Sequence, residues 1–312
     1  MTIAAATTAF CLSGLFLCNG LRLNFSSIAR PTMALTPIKK IAFSDTLFEH
    51  IEEIQGDRPW GRLLDAGTGL HSLRWISTLL HEGSTVTSWS AVTADEGMRK
   101  SVQSEARGLG MLSDEGSIGT VLIGNWQDEM TVLCEDELFD TIIVDYLVGS
   151  IDGFAPYYQD LIFPRIVRHL SPGGRIYVVG LQPIPDKVGN GDDPKAQLVC
   201  EVRKVRDACI LLGGHRCYRE FPADWINRHL ARAELEVIET KKFPILYSHS
   251  AIVRQINVGR SKLSLFPNKE LAESMRITLD KLETESKEAT ASAERGRLKL
   301  GFDYIVAAEL VA

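Results

Sequence analysis

No aspartate or glutamate occurs among the first 44 residues; the first acid is Asp45. The same stretch carries only four basic residues, Arg22, Arg30, Lys39 and Lys40, and an apolar run, AAATTAFCLSGLFLC, too short to span a bilayer. Cysteine is sparse. The chain has six, with no CxxC pair and no zinc-ligand spacing, so a disulfide scaffold and a zinc site are not expected, and buried reduced thiols are. Positive charge is in deficit. The net charge is −6, and setting aside the four leading basic residues leaves 30 basic against 40 acidic, a net −10. Such a chain is not expected to bind nucleic acid, because a phosphate backbone wants a basic face. No internal repeat and no stable membrane span in the mature chain are expected.

The length of 312 residues, 45% hydrophobic content and near-zero mean hydropathy allow a full core. One α/β domain with insertions fits. The acid-free beginning is different in kind. An apolar segment followed by basic, hydroxyl-rich sequence reads as a targeting leader. It resembles the two-part plastid leaders of algae with secondary plastids. The expected destination is the plastid (chloroplast), with the mitochondrion or the secretory pathway as alternatives. Residues 1–40 are assigned to the leader and 41–312 to the domain.

The body alternates strand and helix patterns. SDTLFEHIEEIQG has Ser44 as a helix cap and Gly56 as a stop. RLLDAG, TVTSWSAVTA, GTVLIGNW, FDTIIVDYL and RIYVVG read as five strands, with HSLRWISTLLHEG and EGMRKSVQSEARGLG as helices between them. YYQDLIFPRIVRHL is helical around Pro164. This pattern predicts a doubly wound, mainly parallel sheet. Ligands of such sheets bind beyond the carboxyl ends of the strands.

The stretch RLLDAGTGLHSLRWI sits where that rule points. Its first strand ends at Asp65, and Gly67 and Gly69 follow at once. Glycine there lets a ligand approach backbone, and the helix behind supplies unpaired N–H groups. A dinucleotide fingerprint is one reading, with Ser72 in place of its third small residue. The acid two residues before the first glycine is not part of that fingerprint.

DAGTG instead resembles the first motif of the class I S-adenosylmethionine-dependent methyltransferases. FDTIIVDYL is similar to that family's fourth motif, and RHLSPGGRIYVVG to its turn before the fifth strand. EFPADWINRHLARAELEVIET and FDYIVAAEL are similar to its later helix and strands. The resemblance implies a seven-stranded sheet with a final antiparallel strand and S-adenosyl-L-methionine as cofactor. It places Asp65, Gly67, Thr68, Gly69, Asp145 and Tyr146 at the methionine end. Thr93 and Asp95 fall near the ribose, with helix capping as the other reading of Asp95. Asn125 falls at the adenine amino group, and Trp126 is expected to stack on the ring. His71 replaces a usual glycine, either covering the methionine carboxylate or packing.

Methyl transfer needs alignment, and a base only where the acceptor must lose a proton. Tyr157 and Tyr158 in APYYQD, expected to open a helix, and Tyr247 and His249 in LYSHS are the candidates chosen from a wider set that includes Tyr146, Asp152, His215 and Tyr218. No metal site is expected, since no Asp-Asn pair follows the fifth strand. Insertions at about 183–217 and 262–298 are expected to form a helical cap over a small-molecule methyl acceptor; a homodimer is compatible with the chain. A non-catalytic methyltransferase-like subunit and an aminopropyltransferase-like relative are the alternatives.

Overall fold

A computed structural model of the chain describes residues 38–113, 117–130, 133–189 and 192–310. The expected leader lies outside them except for residues 38–40. Those three pack with the body: the Lys39 N–H donates to the Leu109 carbonyl, and Ile38 lies against the core.

In chain order the elements are α1 (Thr46–Gln55), β1 (Gly61–Asp65), α2 (Leu70–His81), β2 (Val86–Thr93), α3 (Glu96–Leu109), β3 (Gly119–Ile123), β4 (Phe139–Asp145), α4 (Leu147–Ser150), α5 (Ile162–Val167), β5 (Leu170–Leu181), α6 (Gln197–Leu212), α7 (Ala223–Arg232), β6 (Leu235–Ser248), α8 (His249–Arg260), α9 (Lys269–Ala291) and β7 (Arg297–Leu310). The strands form one seven-stranded sheet in the order β3-β2-β1-β4-β5-β7-β6. Strands β1 to β5 pair in parallel, and β7 runs antiparallel to both β5 and β6. The expected fold class holds, including the final antiparallel strand.

Side chains leave the two faces of a strand alternately, and here both faces are covered. Leu64, Ile142, Val144, Ile176 and Val178 pack with α5 and α7 on one face. Leu63, Ile143, Tyr177, Val179 and Ile305 pack with α1, α2 and α3 on the other. This explains why the strands read as near-continuous apolar runs. A third cluster joins α6, α8 and α9 through Cys200, Cys209, Ile252, Ile256 and Leu279. These three helices are the cap. The chain leaves the sheet for it at Ser248, directly into α8, earlier than the insertion bound at 262. The four described cysteines are free thiols, three of them buried.

Three local readings are corrected. The cap of α1 is Asp45, whose carboxylate accepts from the Leu47 N–H at 2.8 Å; Ser44 instead donates to Glu49. APYYQD does not open a helix. Tyr157 adopts a left-handed φ of 69°, the segment is a series of turns, and α5 begins only at Ile162. Pro164 then lies in the first turn, where a missing N–H costs nothing. LYSHS is split: Ser248 caps α8, accepting from Ala251, and His249 is already helical.

Candidate functional site

Strands β1 and β4 are neighbours whose connections run to opposite sides, so the sheet switches direction between them. That is where an open α/β sheet leaves a crevice at its carboxyl edge. Asp65 ends β1 and Asp145 ends β4. The loop after β1 is clamped to its neighbours. The Ala66 N–H donates to Ile143, the Thr68 N–H to Val92, and the Gly69 N–H to the Ser72 hydroxyl.

Two glycines in this loop answer different needs. A Cβ on Gly67 would stand 2.8 Å from Leu147 Cδ1, so the protein's own packing requires glycine. A Cβ on Gly69 would meet nothing within 4 Å, and Gly69 holds an ordinary extended conformation (φ −130°). Its bareness serves open space over the loop rather than any neighbour in the fold.

The acids that end β1 and β4 are unusual. Asp65 is fully buried, and its Oδ2 has no hydrogen-bond partner. Burial pushes its carboxyl up to about 6, with the Ser72 and Thr68 hydroxyls and the Gly67 N–H opposing. Asp145 keeps some exposure, but its Oδ1 is enclosed and unpartnered. Burial pushes it up to about 8, with the charges of Asp65, Asp45 and Asp303 adding to the rise. Tyr146, in a left-handed conformation, has its hydroxyl near the Asp303 carboxylate on β7. Buried carboxylate oxygens without a donor are costly and mark a place for a cation or a donor-bearing ligand.

The other expected residues fall into two groups. Thr93, buried at the end of β2, accepts from the Asp95 N–H. Asp95 caps α3, its Oδ1 accepting from Met98 at 2.6 Å, as its capping reading requires. Asn125 donates one amide N–H to the Phe154 carbonyl and accepts from the Gln127 N–H, using one of its two donors and one of its two lone pairs. Trp126 corrects the stacking expectation. Its ring is 4% exposed and its Nε1 donates to the Ala66 carbonyl at 2.7 Å. It holds the loop from beneath and offers no open face. His71 pairs with Asp45 at 2.9 Å and lies beside Phe43 and Phe48, with its side chain still exposed.

Beyond the ends of β4 and β5 lies a cavity of about 1210 Å³. Tyr157 lines it and is 77% exposed, whereas Tyr158 turns into the core, so the expected pair is separated. Tyr247 lines an adjoining pouch of about 100 Å³, and burial pushes its hydroxyl up to about 12. His249 lines neither and pairs with the Ser286 hydroxyl at 2.8 Å. Glu220, absent from the sequence reading, lines the large cavity, and burial pushes it up to about 7. Asp303 was missed too, although an acid interrupting the apolar run of FDYIVAAEL was the signal. Among the described residues, no three His, Cys, Asp or Glu side chains are grouped to hold a metal ion. None of the described helices is long and apolar enough to cross a membrane.

No family model and no curated protein sequence matches the chain. Solved structures do. A candidate methyltransferase from Bacillus halodurans C-125 is 16% identical, with a TM-score of 0.51 over 85% of this chain and 98% of that one. The chain has the fold of the class I S-adenosylmethionine-dependent methyltransferases. The YcgJ protein of Bacillus subtilis is 18% identical, with a TM-score of 0.49 over 84% and 97% of the two chains. At these identities the likeness concerns the fold alone. Within the methyltransferase fold, the crevice at Asp65 and Asp145 and the cavity beyond β4 and β5 are neighbouring parts of one carboxyl edge.

Proposed function

We propose that the chain is an S-adenosyl-L-methionine-dependent methyltransferase acting on a small-molecule acceptor. One observation carries this: two enclosed carboxylate oxygens, Asp65 Oδ2 and Asp145 Oδ1, lack partners at the ends of the adjacent strands β1 and β4, and the loop after β1 has open space over Gly69. The cofactor bears an ammonium and a sulfonium, the charges such oxygens want. When bound, it supplies an electrophilic methyl group. Asp65, Asp145 and the Gly67–Gly69 loop would hold its methionine end. Thr93 and Asp95 would face the ribose, the latter through the oxygen not used in capping, and Asn125 the adenine.

The remaining work belongs to the acceptor side. The cavity walls exclude water and align the acceptor's attacking atom, the main demand of an in-line displacement. Where that atom must lose a proton, Glu220 is placed in the cavity wall with an affinity for protons suited to neutral pH. Plastid targeting belongs to the same proposal and rests on the sequence of the first 44 residues.

Calorimetry with S-adenosylmethionine, S-adenosylhomocysteine and NADH tests the cofactor. The first two should bind and the third should not. Asp65→Ala should weaken both by about tenfold or more, because the loop loses its buried organiser. Folded protein that binds neither sulfur compound would overturn the assignment.

A further inference from the structure

The large cavity is charged opposite to the chain that builds it. Five cations line it, Arg203, Arg206, Arg216, Arg219 and Lys262, against the three acids Asp152, Asp207 and Glu220. The surplus stands in a body with net −10. The Arg203 and Arg206 side chains are mostly buried, whereas Arg216 and Arg219 stay open to an incoming ligand, 42% and 66% exposed.

The acids are arranged as hubs. Asp152, 2% exposed, lies 3.3 Å from Arg216 and 3.9 Å from Arg219, and accepts from Gln159 on its other side. Asp207 binds Arg206 at 2.7 Å and Arg203 at 3.4 Å. Each carboxylate therefore orients two guanidiniums and neutralises one; Arg203 also pairs with Asp186, which leaves the unmatched charge on the Arg216–Arg219 pair and Lys262. A guanidinium carries five donors in a rigid fork, and most of those on Arg219 are unused. Arg203 Nε is enclosed without a partner, and Lys262 has no ion pair among the described residues. Glu220, with its carboxyl pushed up toward neutrality, offsets little of the surplus.

The rest of the wall is apolar. Phe154, Leu181, Ile210 and Phe221 line the same space as the cations, and Tyr157 lies under the Arg216 guanidinium at 5.4 Å. The adjoining pouch continues behind Arg203 and Arg206 with Val199, Val202 and Ile252. A ligand matched to this surface has an apolar body and a fixed negative group.

We infer that the cavity binds an organic anion, an apolar skeleton bearing a carboxylate or phosphate, which Arg206, Arg216, Arg219 and Lys262 hold while the skeleton lies against the aromatic wall. Taken as the methyl acceptor, this anion rests on the methyltransferase reading above; as a ligand of the cavity it does not. The arrangement is complementary to the other end of the site. Asp65, Asp145 and Asp303 gather negative charge at the strand ends, and Glu220 feels both Asp303 and Arg206.

Three probes of similar shape test the charge: phenyl phosphate, benzoate and neutral benzamide, titrated by ligand-observed NMR and calorimetry. At least one anion should bind about tenfold or more tighter than benzamide. Arg216→Gln/Arg219→Gln should remove that preference while leaving S-adenosylhomocysteine affinity unchanged. Arg206→Gln, checked for its melting temperature, should do the same. Asp152→Asn should strengthen anion binding, because it removes the countercharge; a merely structural role would not predict a gain. Equal binding of all three probes, or a preference that survives both arginine variants, overturns the inference. S-adenosylhomocysteine binding without anion preference sinks the inference and spares the methyltransferase reading. Arginine-dependent anion preference without S-adenosylhomocysteine binding does the reverse.

Discussion

Asp145 and Asp152 lie seven residues apart, on either side of α4, and meet opposite surroundings. Asp145 faces other acids, its Oδ1 is enclosed without a donor, and it is pushed up to about 8. Asp152 is as enclosed as any side chain in its wall, yet it touches two guanidiniums and an amide. The difference teaches that burial of a carboxylate is not one phenomenon. In the first place the fold leaves a cost to be offset by something that binds; in the second it meets the cost itself.

Replacing each aspartate by asparagine separates the two cases, and the effects should have opposite sign. Asp145 has a folded value near 8, above the ordinary 3.8. Between these the native state holds more protons than the unfolded one, so this group's contribution to stability falls as pH rises through that window. Asp145→Asn removes the slope. The unliganded protein should gain on the order of 3 kcal/mol at pH 7. Chemical denaturation should show a larger gain at pH 8 than at pH 5. Binding of S-adenosylhomocysteine should weaken at the same time. Asp152→Asn should instead lose about 1–2 kcal/mol, since its charge-assisted bonds weaken. A loss of stability in Asp145→Asn would mean that the acid already has a partner, and the comparison would fail.

The strands and the first loop were legible because they are written locally. The carboxyl ends at Asp65, Thr93 and Asp145 follow from apolar runs bounded by turn residues, although the runs read as β2, β3 and β4 extend one to three residues past the observed ends. Charge neighbours were not legible. Asp152 meets Arg216 across 64 residues, and Asp303 joins Tyr146 from the far end of the chain. No window of sequence contains either pair. Trp126 misled for a related reason. Its place after β3 suits an adenine contact, but its indole N–H finds a carbonyl 60 residues earlier and turns inward. Tyr157 and Tyr158 were separated by a left-handed turn that nothing in APYYQD announces.

A smaller effect tests the border between the halves. Glu220 lines the arginine side, and Arg206 opposes the rise that burial imposes on it. If it takes a proton from the acceptor, it must be ionised to act. Activity should then rise with pH through about 7, the value to which its carboxyl is pushed, and level off above. Glu220→Gln should lower kcat by about 100-fold and remove that limb. Cofactor affinity should not change, because Glu220 lines the acceptor cavity. A pH profile with the limb intact in Glu220→Gln would assign the titration to another group.

The smallest stability effect and a clear binding effect should come from two neighbouring glycines. Gly67→Ala places a Cβ 2.8 Å from Leu147 Cδ1 and 2.9 Å from Leu147 Cβ, the latter atom fixed to backbone. Relief requires the loop or α4 to move, at a cost of about 1–3 kcal/mol. Gly69→Ala meets no atom within 4 Å and needs no unusual backbone angle. Gly69 also caps α2, a position where glycine is preferred to alanine. Its stability should therefore fall by about 1 kcal/mol or less. The added methyl group enters the open space over the loop that follows Asp65. S-adenosylhomocysteine affinity should fall by roughly tenfold, about 1.4 kcal/mol. Unchanged affinity in Gly69→Ala, with the fold intact, would mean that nothing binds over this loop and that the unpartnered acids await some other ligand.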